Sequence, residues 1–191
     1  MRTSRSIATR LSGRILLVTI CLYVVAIVII ADATFRSIED EASNNAVHVL
    51  EATSLHIEKT LGEVESSLRG TYWQAMENLQ DTNRLYHISY QTVKNNPNII
   101  GCAIALDSSF SGKMFSAPFS YREANGDVLS KGLGSAQYNY YEMDWYSVPF
   151  QAEKAMWCKP YYDEGGSKWL MTTYGVPLKK ETGEILGILT A

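Results

Sequence analysis

Tyr138, Tyr140, Tyr141, Asp144, Trp145, Tyr146, Trp157, Tyr161 and Tyr162 fall within one short span of a 191-residue chain whose aromatic share is 11%. Rings with polar tips supply apolar walls and directed hydrogen bonds together, which suits a small polar molecule such as an amino acid or an organic acid. The competing reading is that most of these rings are core, and Asp144 can equally be the N-cap of a helix that begins near Trp145. No nucleophile-and-base signature accompanies them, neither a G-x-S-x-G elbow nor a P-loop. His48, His56 and His87 lack the H-E-x-x-H spacing of a zinc site and read as solvated helix surface. Asp163-Glu164-Gly165-Gly166 lacks the further carboxylates and closing Glu of a calcium loop and reads as a turn. No catalytic residue, metal or cofactor is therefore expected.

What must hold the aromatic span begins at the N-terminus. Ile15 to Ala31, "ILLVTICLYVVAIVIIA", carries no charge, and at about 1.5 Å per residue it reaches roughly 26 Å, close to a hydrocarbon core. Arg2, Arg5, Arg10 and Arg14 precede it, whereas Asp32, Glu39, Asp40 and Glu41 follow soon after. The positive-inside bias thus puts residues 1–14 in the cytoplasm as a basic tail, 15–31 in the membrane and the rest outside. A cleaved signal peptide is the rival, since "ADA" at 31–33 resembles a small-residue cleavage site, although the apolar run is long for one. With four of its 17 Lys and Arg spent before the membrane segment, the remainder faces 20 Asp and Glu. That balance excludes a nucleic-acid binder by bulk charge.

From Ala33 to about Asn96 the chain has no Pro and only two Gly. Val47, Leu50, Ser54, Ile57, Leu61, Val64 and Leu68 step three and four residues alternately, a heptad-like seam on one long stalk helix assigned to 32–96. The register then shifts through Tyr72, Met76 and Leu79, with Gly70 near the change, as at a stutter where the packing partner changes. The proximal half is expected to form a homodimer, and the distal half to pack on its own globular domain.

Pro97, in the turn cluster Asn95 to Asn98, should end the helix. Ile99 to Leu106 reads as a buried strand and Met114 to Arg122 as a second, leading into a tight turn at Asn125-Gly126. Met156 to Tyr162 makes a third. Trp169 to Leu178 and Ile185 to Ala191 close the chain as a hairpin around Lys179 to Glu184. The fold class is therefore α+β: a transmembrane helix, a stalk helix and a five-stranded antiparallel sheet with helices on one face. Cys21 belongs to the membrane segment, and Cys102 and Cys158 sit on separate predicted strands, where an oxidising compartment leaves a disulfide open.

"NPNIIGCAIALD", "YNYYEMDWYSVP", "WCKPYYDEGG" and "LMTTYGVPLKKETGEILGILTA", in this order, resemble the membrane-distal half of a double Cache (dCache) sensor domain. Such domains form the extracytoplasmic part of bacterial receptors: histidine kinases, chemoreceptors, cyclic-dinucleotide enzymes and RsbU-like serine phosphatases. The similarity spans roughly Ala33 to Ala191 and is most specific from Asp144 onward. It implies a PAS-like distal module over 97–191, with a proximal module, a second transmembrane helix and an output domain expected to be absent from these residues. It also implies small-molecule sensing without catalysis. In Cache domains that bind amino acids the family pattern sets an Arg two residues before a Trp-Tyr pair and an Asp after the fifth strand. Trp145 and Tyr146 match the pair, Met143 stands where the Arg would be, and the Asp would lie at or beyond the last residue. Without the Arg there is no fork to grip a carboxylate in two places, so a different ligand, or no ligand in the distal module, is expected. Trp145, Tyr146, Tyr161 and Asp163 are the residues expected to line its site. Two other readings stand beside this one: an anchored or secreted interaction protein with a coiled-coil stalk, and an extracytoplasmic enzyme with a cluster of titratable groups in one cleft.

Overall fold

The computed structural model describes residues 7–163 and 169–191, and it divides into two units, one ending at His56 and the other running from Ile57 to Ala191. The first unit is helix α1 alone, which spans Ile7–Glu77 and continues into the second. Alone among the described residues, α1 is long and apolar enough to cross a membrane, with an 18-residue window of mean hydropathy 2.8. Val47, Leu50 and Ile57, three positions of the seam, are exposed on it.

In the second unit the seam does what its distal half is expected to do. Val64, Leu68 and Ala75 are buried, and Tyr72, Met76 and Leu79 pack on the same core. The single helix assigned to 32–96 is corrected here, because α1 stops at Glu77 and α2 begins at Thr82. Asp81 accepts from the Arg84 amide at 3.1 Å and so caps α2, Thr82–Asn95. A side-chain carboxylate that competes for the backbone can start a new helix without any Pro or Gly. Leu85, Ile88, Ser89, Thr92 and Val93 give α2 one buried stripe. Its C-terminal carbonyls at Val93 and Asn96 accept from the Arg122 guanidinium, which arrives from the sheet.

Six strands form the main sheet: β1 Gly101–Leu106, β2 Ala117–Arg122, β3 Val128–Leu133, β4 Met156–Trp157, β7 Tyr174–Lys179 and β8 Ile185–Thr190, in the order β3-β2-β1-β8-β7-β4. All neighbours are antiparallel. β5 Tyr161–Tyr162 and β6 Leu170–Met171 make a separate two-stranded hairpin. The run Met156 to Tyr162 is therefore two strands in two sheets, divided at Cys158 to Pro160. β3, which brings the count from five to six, carries Ser130, Lys131 and Gly132 and lies at the sheet edge, so it shows none of the apolar pattern of a central strand. Short helix α3, Ser108–Ser111, follows β1, and a 3-10 turn at Tyr140–Glu142 precedes α4, Asp144–Ala152.

β1 explains why its sequence is apolar without alternation. Cys102, Ile104 and Leu106 enter a core shared with α1 and α2, while Ala103 and Ala105 enter a second core with Tyr140, Trp145 and Tyr146. Both faces of the sheet are thus covered, α1 and α2 on one and α4 with the aromatic segment on the other, where helices on one face alone were expected. The N-cap of α4 is Met143, without a side-chain bond, and Asp144 is instead its first residue. There its charge complements the helix dipole. A Cβ on Gly175 would stand 2.7 Å from Pro149 Cγ, so glycine lets α4 sit down on β7.

Gly187 is tighter still. A Cβ there would meet the Ala105 carbonyl oxygen at 2.3 Å and Leu106 Cα at 2.8 Å, both backbone atoms of the neighbouring strand. Gly187→Ala should lower the unfolding free energy by about 2 kcal/mol or more, since rigid backbone cannot yield to the added methyl. Gly62→Ala, on open helix surface with nothing within 4 Å, should raise it by about 0.5–1 kcal/mol. Urea unfolding of the two variants checks the opposite signs.

Candidate ligand-binding site

A cavity of about 240 Å³ opens at the end of the sheet where β1 begins and β8 finishes. Ala103 and Phe119 supply sheet surface, and Leu133 closes the β3 side. Tyr138, Trp145, Trp157 and Tyr161 supply rings, and Asp163 stands in the wall at 6% exposure. Thr60, Leu61 and Val64 of α1 complete it. The stalk helix is thus part of the cavity wall.

Each polar tip is held. Trp145 Nε1 donates to the Tyr138 hydroxyl at 3.2 Å, and the Tyr161 hydroxyl shares a 2.8 Å hydrogen bond with Thr173 Oγ1. The Asp163 amide donates to the Trp169 carbonyl at 2.9 Å, which fixes its place at the end of the β5–β6 hairpin. Trp157 Nε1 donates to Glu65 Oε1 of α1 at 2.7 Å. Burial pushes the Tyr138 phenol up, and the Asp163 charge adds to the shift. Tyr161 is raised for the same reasons in the same order. Both phenols therefore stay protonated across the physiological range and can donate as well as accept.

Of the four residues expected at the site, Trp145, Tyr161 and Asp163 meet in the cavity wall. Tyr146 does not reach it. Adjacent helix residues point about 100° apart, so Trp145 faces the cavity while Tyr146 turns into the aromatic core against Tyr140, Tyr141 and Phe150. Its hydroxyl donates to Asp107 Oδ2 at 3.4 Å. Tyr140 is fully buried, donating to the Leu106 carbonyl at 2.8 Å and accepting from the Ser116 amide at 3.1 Å. Tyr162 is 59% exposed. The cluster thus divides into wall, core and surface, a sorting that ring identity does not encode. Trp157 and Tyr138 belong to that cluster but were not singled out. Leu61 and Val64 were missed because a heptad seam accounts for them without a ligand, and Thr60, off that seam, carries no signal of its own.

Among the described residues, no group of three or more His, Cys, Asp or Glu stands together to hold a metal. His48, His56 and His87 are exposed. Glu164 to Gly166, in the segment read as a turn, lie outside the described residues.

The family model described as methyl-accepting chemotaxis protein-like, first PDC sensor domain, matches residues 85–191, and the chain belongs to this family. Among solved structures, the extracellular domain of soHK1S-Z6, described as a histidine kinase, is similar at a TM-score of 0.60 and 25% identity, over 68% of this chain and 51% of that one. The ligand-binding domain of Mlp24 with asparagine has TM-score 0.59 and 13% identity, over 81% and 58%. The amino-acid chemoreceptor PctC of Pseudomonas aeruginosa PAO1 in complex with GABA has TM-score 0.50 and 15% identity, over 71% and 57%. The chain spans a little over half the length of these structures. No curated protein matches it. The Cache-type resemblance and the extracellular sensing role agree with these findings.

Cys102 and Cys158 are free thiols, which answers the question of a disulfide. They lie in different cores, Cys102 with α1 and α2 and Cys158 with the aromatic segment. Burial pushes Cys102 up to about 12, and burial with the Asp144 charge pushes Cys158 up to about 11. Iodoacetamide at about pH 8 should therefore leave both unmodified in the folded protein and label both after denaturation without reductant, read by mass spectrometry. Labelling that requires a reductant would show a disulfide instead.

Proposed function

We propose that the chain is the ligand-sensing portion of a membrane receptor, with residues 1–14 cytoplasmic, 15–31 in the bilayer and the second unit outside the cell. The arginines before the apolar segment and the acids after it support that orientation. The module is non-catalytic in this reading: it binds a small organic molecule in the aromatic cavity and changes the state of the stalk. Trp145, Tyr161 and Asp163 contact the ligand, and Tyr146 holds the neighbouring ring cluster. That solved neighbours of this fold hold asparagine and GABA supports a ligand of this size.

One observation carries the reading. Thr60, Leu61 and Val64 of α1 line the same cavity as Tyr138, Trp145 and Asp163. A ligand there touches the sheet and the stalk helix at once. It can bias the helix only by its difference in affinity between two arrangements, and direct contact is the simplest source of such a difference.

Signalling through a stalk also needs a second copy, and Val47, Leu50 and Ile57 leave an apolar seam exposed on α1. In a Cys21→Ser background, Leu50→Cys in membranes should give an oxidant-dependent dimer on gels, whereas Ala52→Cys, about 200° around the helix, should give far less. Equal crosslinking at both positions would remove the seam as the dimer contact.

A further inference from the structure

Val64 of α1 lines the cavity, and the residue on each side of it is tied to another part of the cavity wall. Glu63 Oε2 accepts from the Asn98 side-chain amide at 2.7 Å, and Glu65 Oε1 accepts from Trp157 Nε1 at 2.7 Å. Asn98 and Trp157 both line the cavity. They belong to different elements: Asn98 shortly precedes β1, inside the sheet, whereas Trp157 sits in β4, a two-residue strand at the sheet edge.

Successive side chains on an α-helix point about 100° apart, so Glu63 and Glu65 leave α1 on opposite flanks of Val64. Ties on opposite flanks resist rotation of the helix in both senses, since turning either way stretches one of them. A carboxylate acceptor makes each tie stronger than a bond between neutral groups. The Trp157 side is also braced. Its ring lies against Tyr174 of β7 with centroids 5.2 Å apart, and the Tyr174 phenol, pushed up first by burial, is pushed further by the Glu65 charge.

We propose that Glu63 and Glu65 are positioning residues of the sensing cavity: through Asn98 and Trp157 they hold α1 at one rotational setting, and an occupant that displaces either wall residue turns the helix. This rests on the reading of the cavity as the sensing site. The wall residues that meet the ligand are then the ones that hold the stalk, so a difference in affinity between the two settings is built into the wall.

Spin labels at Glu58→Cys on α1 and Leu129→Cys on β3, both exposed, report the setting. They are placed in the full chain with Cys21→Ser, in detergent and diluted with unlabelled chain, with Cys102 and Cys158 left buried. The starting chain should give one narrow distance distribution. Trp157→Phe keeps a ring in the wall but loses the N–H donor, and Glu65→Leu removes the acceptor; each should shift the distance by about 2 Å. Asn98→Ala frees the other flank and should shift it in the opposite sense. Glu65→Gln keeps an acceptor oxygen and should give the starting distribution. Loss of packing alone would broaden the distribution without giving the two releases opposite signs. An unchanged distance in Glu65→Leu and Asn98→Ala, or a shift in the same sense in both, overturns the clasp. A shift in Glu65→Gln equal to that in Glu65→Leu overturns it as well. Should Trp157→Phe fold poorly, Glu65→Leu makes the same test with every wall ring in place. Four-carbon amines, acids, amides and amino acids are then added at millimolar concentration. A probe that raises Tm should also move the distance, and one that raises Tm with the distance unmoved overturns the role of the clasp in transmission. No rise in Tm with any probe counts against the sensing cavity itself, and the clasp is then judged by its variants.

Discussion

Two neighbouring strands, β1 and β8, are buried on both faces, and the rest of the second unit is arranged around that constraint. Period-two alternation sends Ile104 and Leu189 toward α1 and α2, and Ala105 and Ile188 toward the aromatic segment. A strand buried on both sides leaves no solvent face, so each layer must be closed by something else. One layer is closed by helices whose apolar stripes match the sheet. The other is closed by rings whose hydroxyls and indole nitrogen reach backbone and side-chain partners. Small residues on β1, Ala103 and Ala105, leave room for those rings, and Gly187 lets β8 approach β1 closely.

The cavity follows from the same arrangement. Where β1 begins and β8 ends, the two layers are no longer separated by sheet, and residues from both faces border one space. Val64 belongs to the helical core, Phe119 and Trp145 belong to the aromatic one, and all three meet there. In the proposed reading, a wall drawn from both layers joins recognition to the stalk without any long relay of side chains. Trp157 strengthens the join, lining the cavity while its indole nitrogen holds Glu65 of α1. Coupling carried by contact between a ligand and a rigid helix needs only that the helix have two arrangements of similar free energy.

Much of this was readable in advance, and the parts that were not have identifiable causes. The apolar run Ile99 to Leu106, the turn at Asn125-Gly126 and the closing hairpin carry strong local signals and appear nearly where those signals put them, except that the run Trp169 to Leu178 divides into β6 and β7 of two different sheets. β3 was hidden by its polar edge composition, and the α1–α2 break by a lone Asp81 cap in an otherwise unbroken helical pattern. At the site, Trp145, Tyr161 and Asp163 were legible because family resemblance and aromatic density coincide there. Tyr146 was misplaced beside them because a shared motif does not say which way two adjacent helix residues turn. The contribution of Leu61 and Val64 was invisible, since a coiled-coil seam and a cavity wall ask for the same residue types.

Tryptophan fluorescence tests the central claim most directly, because Trp145 and Trp157 line the cavity whereas Trp73 and Trp169 are exposed. The full chain, with Trp73 and Trp169 replaced by Phe, is titrated with four-carbon amines, acids, amides and amino acids. A saturable change in emission from the two remaining indoles, lost on Trp145→Phe, is the predicted result. Emission unmoved by every probe, or a response that disappears once Trp73 and Trp169 are gone, would mean that the aromatic cavity is not where this protein meets its ligand.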